Sequence, residues 1–237
     1  MSRISIIIPT YQHAETIGFC LDSVLAQTRK PDEIIVVDDG STDKTQAALE
    51  PYLLRGVRVI KTENRGSNPA RNTGFAASTG DLVIFCDADV WMRPEMLQRL
   101  ASALDDRPGA SYAYSAFRFG WKRMPSYPFD APLLRRMNYI HTTALVRREH
   151  FPGFDEAIRR FQDWDVWLTM LEDGHVGTYV PEELFSILDM SGRAGISQWF
   201  PSILLHVPWE RLGWAPAPIR KYLEAKAVIV EKHGLRA

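Results

Sequence analysis

Cysteine is scarce in this chain of 237 residues, which contains only Cys20 and Cys86. The two cysteines form neither a CxxC pair nor a cluster with histidine, so the sequence has no pattern typical of a zinc site or a disulfide framework. Each lies in an apolar stretch, where a free cysteine usually packs as a small hydrophobic side chain. We therefore expect both thiols to be buried, as in a protein from a reducing compartment.

Long hydrophobic runs are absent as well. No stretch approaches the ~20 apolar residues that a membrane-spanning helix needs. The apolar run at residues 4–8 is followed by Pro9 and is too short for the core of a secretory signal peptide. We therefore expect a cytoplasmic protein, with peripheral contact to the inner face of a membrane as an open alternative.

An excess of charge of either sign is missing, since 28 basic and 29 acidic residues give a formal net charge of −1. This balance gives no general attraction to nucleic acid. The G-x-G-x-x-G and G-x-x-x-x-G-K-[ST] phosphate-binding patterns are also absent, which argues against a dehydrogenase and a P-loop enzyme. The apolar fraction of 46% is ordinary for a globular protein, and the length suffices for one large α/β domain.

The first half of the chain contains an alternation of strand and helix patterns. β-Branched, apolar runs predict strands at residues 4–8, 33–37, 57–61 and 82–85. Apolar residues at helical spacing predict helices at residues 14–27, 42–54, 69–78 and 94–104. Such alternation predicts βαβ units and a parallel sheet, in which ligands bind beyond the carboxyl ends of the strands.

The second half is less regular. Residues 117–136 contain three prolines and predict a long loop, while residues 139–146 predict a strand. Residues 161–173 predict a helix with tryptophans on its apolar side, and residues 219–232 predict a terminal helix. No internal repeat is visible, so we expect a single domain.

Asp87, Ala88 and Asp89 directly follow the fourth predicted strand. Two carboxylates one residue apart at a strand end can share a hard cation such as Mg²⁺ or Mn²⁺. A cation held there can bridge the two phosphates of a nucleoside diphosphate. D-x-D alone is common in solvated turns, but its position after a buried strand favours the metal interpretation.

Polar residues also follow the first and second strands. Asp38 and Asp39 can accept hydrogen bonds from a base edge or a ribose, although acids at this position also suit a turn and a helix cap. The Tyr11 ring can stack on a nucleobase that Thr10 bonds, although a lone tyrosine is more often simply packed. Arg71, near a helix start, can reach a phosphate, and the alternative is a surface arginine.

Asp163 is the candidate general base. It lies at the start of a predicted helix beside Trp164 and Trp167, and a carboxylate shielded by apolar rings can have a raised pKa. The alternative is a first-turn acid favoured by the helix dipole. His141 can face an acceptor pocket, but a buried structural role is the preferred interpretation.

Six short segments occur in a set order along the chain, at residues 5–11, 33–43, 70–74, 87–89, 153–156 and 162–165. Each is a weak signal alone, but the ordered set resembles glycosyltransferase family 2, an inverting family. The resemblance covers roughly residues 3–190. It implies the GT-A nucleotide-diphospho-sugar transferase fold, an α/β architecture with a Rossmann-like, mostly parallel central sheet flanked by helices.

The resemblance also implies roles for residues at the site. The nucleotide sugar would be held by Pro9, Thr10, Tyr11, Asp38, Asp39, Arg71, Asp87, Ala88 and Asp89. Asp89, with Asp87, would ligate Mn²⁺ or Mg²⁺, and Asp163 would be the catalytic base. A UDP- or dTDP-sugar is the favoured donor, with a GDP-sugar as the alternative, and the acceptor would be a carbohydrate or a lipid-linked molecule.

The expected organisation is one GT-A domain over residues 1–237. Residues 1–115 would bind the nucleotide sugar, residues 116–200 would form the acceptor and catalytic half, and residues 201–237 would be a helical tail. The sequence departs from the family pattern at Gln162, where glutamate is usual. The loop at residues 191–195 matches only loosely, so Arg193 has no assigned role.

The expected function is inverting sugar transfer in the synthesis of cell-surface polysaccharide, glycolipid or another glycoconjugate. A nucleotidyltransferase would need a Gly-rich, basic loop after the first strand, and residues 9–13 are neither. A non-catalytic nucleotide-sugar binder or scaffold on the same fold remains the alternative. Residues 117–123 mix aromatic and basic side chains, which suits either a membrane surface or an acceptor-side loop.

Overall fold

The computed structural model describes residues 2–188 and 216–235. Its strands are β1 (Ile4–Thr10), β2 (Glu33–Asp38), β3 (Val57–Lys61), β4 (Leu82–Phe85), β5 (Val90–Met92), β6 (Tyr112–Phe119), β7 (Lys122–Arg123), β8 (Leu145–Arg147) and β9 (Gly177–Ile187). Its helices are α1 (Ile17–Leu25), α2 (Thr45–Leu53), α3 (Ser67–Ala77), α4 (Met96–Asp105), α5 (Ala131–Arg136), α6 (Gln162–Glu172) and α7 (Ala217–Lys232). The described residues do not include the loop at residues 191–195, which contains Arg193, or residues 201–215 of the predicted tail.

All nine strands belong to one sheet, in the order β3-β2-β1-β4-β8-β6-β9-β5, with β7 paired to β6. Strands β3, β2, β1 and β4 are parallel neighbours. Strand β8 is antiparallel to both β4 and β6, and β6 is parallel to β9. Strands β6 and β9 therefore run in the same direction as the first four, which confirms the predicted α/β fold with a mostly parallel sheet.

Strand β1 is buried along its whole length and mostly apolar because helices cover both faces of the sheet. Ile6 belongs to the same core cluster as Leu21 of α1, whereas Ile7 belongs to the cluster that contains Trp167 of α6. Continuous apolar runs are typical of such doubly covered strands. Helix α3 approaches β1 so closely that a Cβ on Gly74 would lie 2.4 Å from the Ile7 side chain, which explains a glycine inside that helix.

Every predicted element of the first half is present, with small differences at the ends. Helix α1 begins at Ile17 and α4 begins at Met96, so Pro94 lies in the turn before α4 rather than in its first turn. Pro51 lies inside α2 without ending it, since the helix continues to Leu53. A proline near a helix end costs a single backbone hydrogen bond.

Two predictions for the second half were wrong. Residues 117–136 are not one long loop but contain the end of β6, strand β7 and helix α5, which is capped by the Asp130 carboxylate accepting from the Leu133 N–H. Of residues 139–146, only the last two belong to a strand, β8. Strands β5, β6 and β9 were also not predicted, and β6 is buried at nearly every position, so no polar alternation marks it.

Both cysteines are free and buried, as expected from their apolar surroundings. Their Sγ atoms are 3.7 Å apart, with Cys20 on α1 and Cys86 directly after β4. Within residues 2–188 and 216–235, no helix is both long and apolar enough to cross a lipid bilayer.

Candidate active site

The carboxyl ends of β1, β2 and β4 meet at one edge of the sheet. Strand β1 lies between the other two, and its last residue, Thr10, pairs with Asp38. The structure therefore brings the three predicted polar segments together. The predicted site residues that are buried there are Pro9, Thr10, Asp38, Asp39 and Ala88. Tyr11 is 45% exposed, so its ring is available to a ligand at the rim of the crevice.

Three buried polar atoms at this edge have no hydrogen-bond partner within the described part of the chain. They are Oγ1 of Thr10, Oδ2 of Asp38 and Nε of Arg71. Such atoms are rare in folded proteins and indicate a missing partner. Among the described residues, three further atoms without a hydrogen-bond partner lie elsewhere in the chain, in Tyr112, Asn138 and His150.

The two adjacent acids of β2 and its turn have different surroundings. Asp38 accepts one hydrogen bond, from the N–H of Ser41 over 3.0 Å. Asp39 accepts from the N–H of Arg65 and, over 2.7 Å, from the N–H of Gly66, and also from the Thr62 hydroxyl. The Asp39 carboxylate therefore holds the loop after β3, while Asp38 keeps one oxygen for another partner.

Gln12 connects the loops after β1 and β2, a role that sequence reasoning missed. Its N–H donates to Oγ of Ser41, and its Oε1 accepts from the N–H groups of Thr42 and Asp43. Its φ of +60° is unusual for a non-glycine residue. No local sequence signal marks glutamine for this conformation.

Arg71 is buried rather than on the surface, with 7% of its side chain exposed. It donates to Oδ1 of Asp87 over 2.7 Å and to Oδ1 of Asn68 over 3.2 Å. Burial would raise the pKa of Asp87, but the positive charge of Arg71, helped by His141, outweighs it and lowers that pKa. The Asp87 carboxylate is therefore held in its charged form.

Asp87 and Asp89 fit a cation shared with a substrate. Both lie in the turn after β4, and both are partly exposed. In the part of the chain that the structure describes, no group of three His, Cys, Asp or Glu side chains could by itself hold a metal ion. Mg²⁺ commonly takes one or two carboxylates and completes its shell with water and substrate phosphates. The pair suits that arrangement rather than a closed protein site.

The predicted helix that carries Asp163 is α6. Phe161, the residue before the start of α6, has a left-handed backbone with φ of +59°. This is a strained conformation for a residue with a bulky side chain. Trp164 and Trp167 are buried, and their ring N–H groups donate to backbone carbonyls. Asp163 lies in the first turn, partly exposed, with Oδ1 accepting from the N–H of Trp164.

His141 lies beside the Asp87 carboxylate. Its Nε2 is 4.0 Å from Oδ2 of Asp87. Burial lowers the pKa of His141, and the negative charges of Asp87 and Asp163 oppose that effect without overcoming it. The ring was expected to be buried, but 16% of the side chain is exposed, so it is only partly buried and reaches the site.

Helix α3 positions the segments around Asp163, which the sequence did not reveal. Asn72 donates to the carbonyl of Phe154 over 2.8 Å and accepts from its N–H over 2.9 Å. Asn68 donates to the carbonyl of Asp155. Gln162, the departure from the family pattern, donates to Oγ of Ser67 over 3.3 Å. These contacts tie the segment at residues 153–156 and the start of α6 to the helix that carries Arg71.

Comparison with known proteins identifies the family. The family model of glycosyl transferase family 2 matches residues 5–165, more than half of the chain. EpsJ, an uncharacterized glycosyltransferase of Bacillus subtilis, is 41% identical over 258 aligned positions, which cover 98% of this chain and 71% of the relative. An uncharacterized glycosyltransferase of Nostoc is 42% identical over 101 residues, and there the match spans 41% of this chain and only 31% of the relative.

Solved structures have the same fold. Residues 1–349 of S. aureus TarS in complex with UDP-GlcNAc superpose with a TM-score of 0.71 at 19% identity, covering 92% of this chain and 69% of that one. A mannosyltransferase of Pyrobaculum calidifontis in complex with GDP-Man and Mn²⁺ gives a TM-score of 0.66 at 24% identity, covering 96% of this chain and 70% of that one. The chain therefore belongs to glycosyltransferase family 2 and has the GT-A fold.

Proposed function

We propose that this protein transfers a sugar from a nucleoside-diphosphate sugar to an acceptor hydroxyl, with inversion at the anomeric carbon. The observation that carries the proposal is the group of buried atoms of Thr10, Asp38 and Arg71 at the candidate site, which have no hydrogen-bond partner among the described residues. A nucleotide supplies the hydrogen-bonding groups that these atoms lack, and Tyr11 offers a ring face at the rim. Pro9, Asp39 and Ala88 would shape the same site.

Asp89, with Asp87, would hold Mn²⁺ or Mg²⁺ beside the diphosphate. When bound, the cation would neutralise negative charge on the departing phosphates. The ionised state of Asp87, maintained by Arg71, supports this role. Arg71 would add a fixed positive charge on the same side of the donor.

Asp163 would act as the base. It takes the proton from the acceptor hydroxyl, whose oxygen forms a bond to the anomeric carbon while the bond from that carbon to the phosphate oxygen breaks. The nucleoside diphosphate leaves from the opposite face. The position of Asp163 in the first turn of α6, close to His141 and partly exposed, supports this assignment.

The donor and acceptor are proposed by class. UDP- and dTDP-sugars are favoured and GDP-sugars are the alternative, in line with the UDP-GlcNAc and GDP-Man complexes of the structural neighbours. The acceptor would be a carbohydrate or a lipid-linked molecule of a cell-surface glycoconjugate. Residues 1–115 would bind the donor and residues 116–200 would receive the acceptor, within one domain.

Contact with a membrane surface would run through the turn between β6 and β7. Trp121 in that turn is 85% exposed and is followed by the exposed residues Lys122 and Arg123. An aromatic ring beside cationic side chains suits the interface of an anionic bilayer. Liposome flotation tests this membrane contact, and we expect Trp121→Ala to bind liposomes less than the control variant Trp91→Ala. Equal binding of the two variants would contradict the contact.

The test of the base is Asp163→Asn. A positioned base contributes about 10²–10⁴ in rate, so we expect transfer to fall by at least about 100-fold, because the amide cannot take the proton. Nucleotide affinity should stay within about 2-fold of wild type, since the nucleotide is held at the strand ends. The measurements are nucleotide release with each donor and calorimetric titration with the nucleotide.

Asp173→Asn, the same change at the exposed end of α6, is the matched control and should remain active. Weakened nucleotide binding in Asp163→Asn would contradict the assignment. Binding of nucleotide sugars by the wild-type protein without any release would instead favour the non-catalytic binder.

A further inference from the structure

His141 is held in one orientation by aromatic rings. Its ring centroid lies 5.1 Å from that of Phe117 and 5.3 Å from that of Phe185. Those two phenyl rings are stacked on each other, and the His141 side chain is 16% exposed. The imidazole therefore has little room to turn, and each of its nitrogens keeps fixed surroundings.

The partners of one nitrogen determine where the ring carries its hydrogen. The backbone N–H of Thr143 donates to Nδ1 of His141 over 3.1 Å, and the Thr143 hydroxyl lies 3.0 Å from the same nitrogen. A backbone N–H can only donate, so Nδ1 must offer its lone pair. In the neutral ring the hydrogen is therefore on Nε2.

The Nε2–H of His141 has no hydrogen-bond partner among residues 2–188 and 216–235, where the hydrogen bonds of the ring all involve Nδ1. Its distance of 4.0 Å to Oδ2 of Asp87 is too long for a hydrogen bond but places it at the candidate site. A donor that the described part of the chain does not use is therefore available to a ligand beside Asp87.

We propose that His141 binds the sugar of the donor by donating its Nε2–H to a sugar hydroxyl. The inference rests on the proposed function, in which the diphosphate lies at Asp87 and Asp89 and the acceptor hydroxyl lies at Asp163. The anomeric carbon is bonded to phosphate on one side and attacked from the other, so the sugar must lie between those groups. The Nε2–H of His141 is 4.0 Å from Asp87, and the ring is close enough to Asp163 for the charge of that carboxylate to act on it. In this position the N–H favours sugars with a hydroxyl oxygen within hydrogen-bonding distance.

The experiment compares free nucleotide with nucleotide sugar in two variants. His141→Phe keeps an aromatic ring against Phe117 and Phe185 but has no donor, whereas His141→Gln retains an N–H near the position of Nε2. Calorimetry with Mn²⁺ measures affinities for three pairs of ligands, which are UDP and UDP-GlcNAc, dTDP and dTDP-glucose, and GDP and GDP-mannose. The comparison uses the pair that binds to the wild-type protein.

We expect His141→Phe to lose about 5- to 10-fold in affinity for the nucleotide sugar and less than about 2-fold for the free nucleotide, as for one lost hydrogen bond. His141→Gln should recover part of the loss. Equal losses for both ligands would overturn the proposal, because they would assign the N–H to the diphosphate. Unchanged affinities with a lowered unfolding temperature would also overturn it and leave His141 a core residue.

The failure of the proposed function gives a different result. In that case the wild-type protein binds none of the six ligands. If only the inference about His141 fails, the wild-type protein binds one nucleotide and its nucleotide sugar. The His141 variants then change the affinities for these two ligands by the same factor or not at all.

Discussion

Asp38 and Asp39 are neighbours in sequence, but at the scale of single residues their carboxylates have different partners. Asp39 accepts from three groups of the loop after β3, and Oδ2 of Asp38 has no partner among the described residues. A carboxylate that holds a loop contributes to stability, whereas an unpartnered oxygen is available for binding. The same substitution should therefore lower stability at Asp39 and weaken ligand binding at Asp38.

We expect Asp39→Asn to lower the free energy of unfolding by about 1–3 kcal/mol, because the amide group places hydrogens against the N–H groups of Arg65 and Gly66. Asp38→Asn should leave stability nearly unchanged and weaken nucleotide binding about 5- to 10-fold. Urea unfolding and calorimetric titration measure the two effects. A reversed pattern, with Asp38→Asn the less stable variant, would show that the roles are exchanged.

Sequence reasoning named the candidate residues of the site but did not reveal which groups each of them bonds. Asp87 was predicted to face the crevice because polar residues follow successive strands. Arg71 was predicted only to reach a phosphate from near a helix start, with a surface position as the alternative, and the structure joins the two at 2.7 Å. The partners of Asp39 come from a loop more than 20 positions away, so no local pattern reveals that this carboxylate is occupied. His141 was expected to be buried, but its approach to Asp87 depends on the pairing of β8 with β4.

Helix α7 gives the clearest contact at the scale of elements, since it returns to the helix that carries Asp163. Nζ of Lys232 lies 2.7 Å from Asp155 and 2.8 Å from Asp165. His233 bonds Asp165 through Nε2 and Glu172 through Nδ1. Asp165 is buried, so its charge needs these partners. The end of α7 thus helps to fix α6 and the segment before it.

We expect Lys232→Met to lower the free energy of unfolding by about 1–3 kcal/mol, because Asp165 and Asp155 lose a charged hydrogen-bond donor. Lys221→Met, at an exposed position of the same helix, should change stability by less than about 0.5 kcal/mol. Urea unfolding of the two variants provides the measurement. Similar stability of Lys232→Met and Lys221→Met would show that the contact contributes little.

Whether a strand could be predicted from the sequence depended on how regularly it pairs with its neighbours in the sheet. Strands β1 to β4 were predicted because each is a short apolar run between turn residues. Strand β9 includes Pro181, Glu182 and Glu183, and its pairing with β6 shifts register between Ser115 and Phe117. Such an irregular pair has no period of two in the sequence, so only the folded sheet reveals it.

At the scale of the whole molecule, the candidate site combines groups from five separate parts of the chain. Residues after β1, β2 and β4 form the crevice, α3 supplies Arg71, and α6 presents Asp163 from the second half. The fold class and the order of motifs could be read from the sequence because both depend on patterns along the chain. The distances between the groups could not, since they depend on how β8, β6 and β9 extend the sheet beyond β4.

We propose that this crevice binds a nucleoside-diphosphate sugar together with a divalent cation. The decisive measurement is the thermal shift of the full chain with UDP-, dTDP- and GDP-sugars, each with and without Mn²⁺, in the wild-type protein and in Asp89→Ala. We expect stabilisation by one class of nucleotide sugar that requires Mn²⁺ and is lost in Asp89→Ala. Stabilisation by none of them, or equal stabilisation without the metal and in Asp89→Ala, would contradict it.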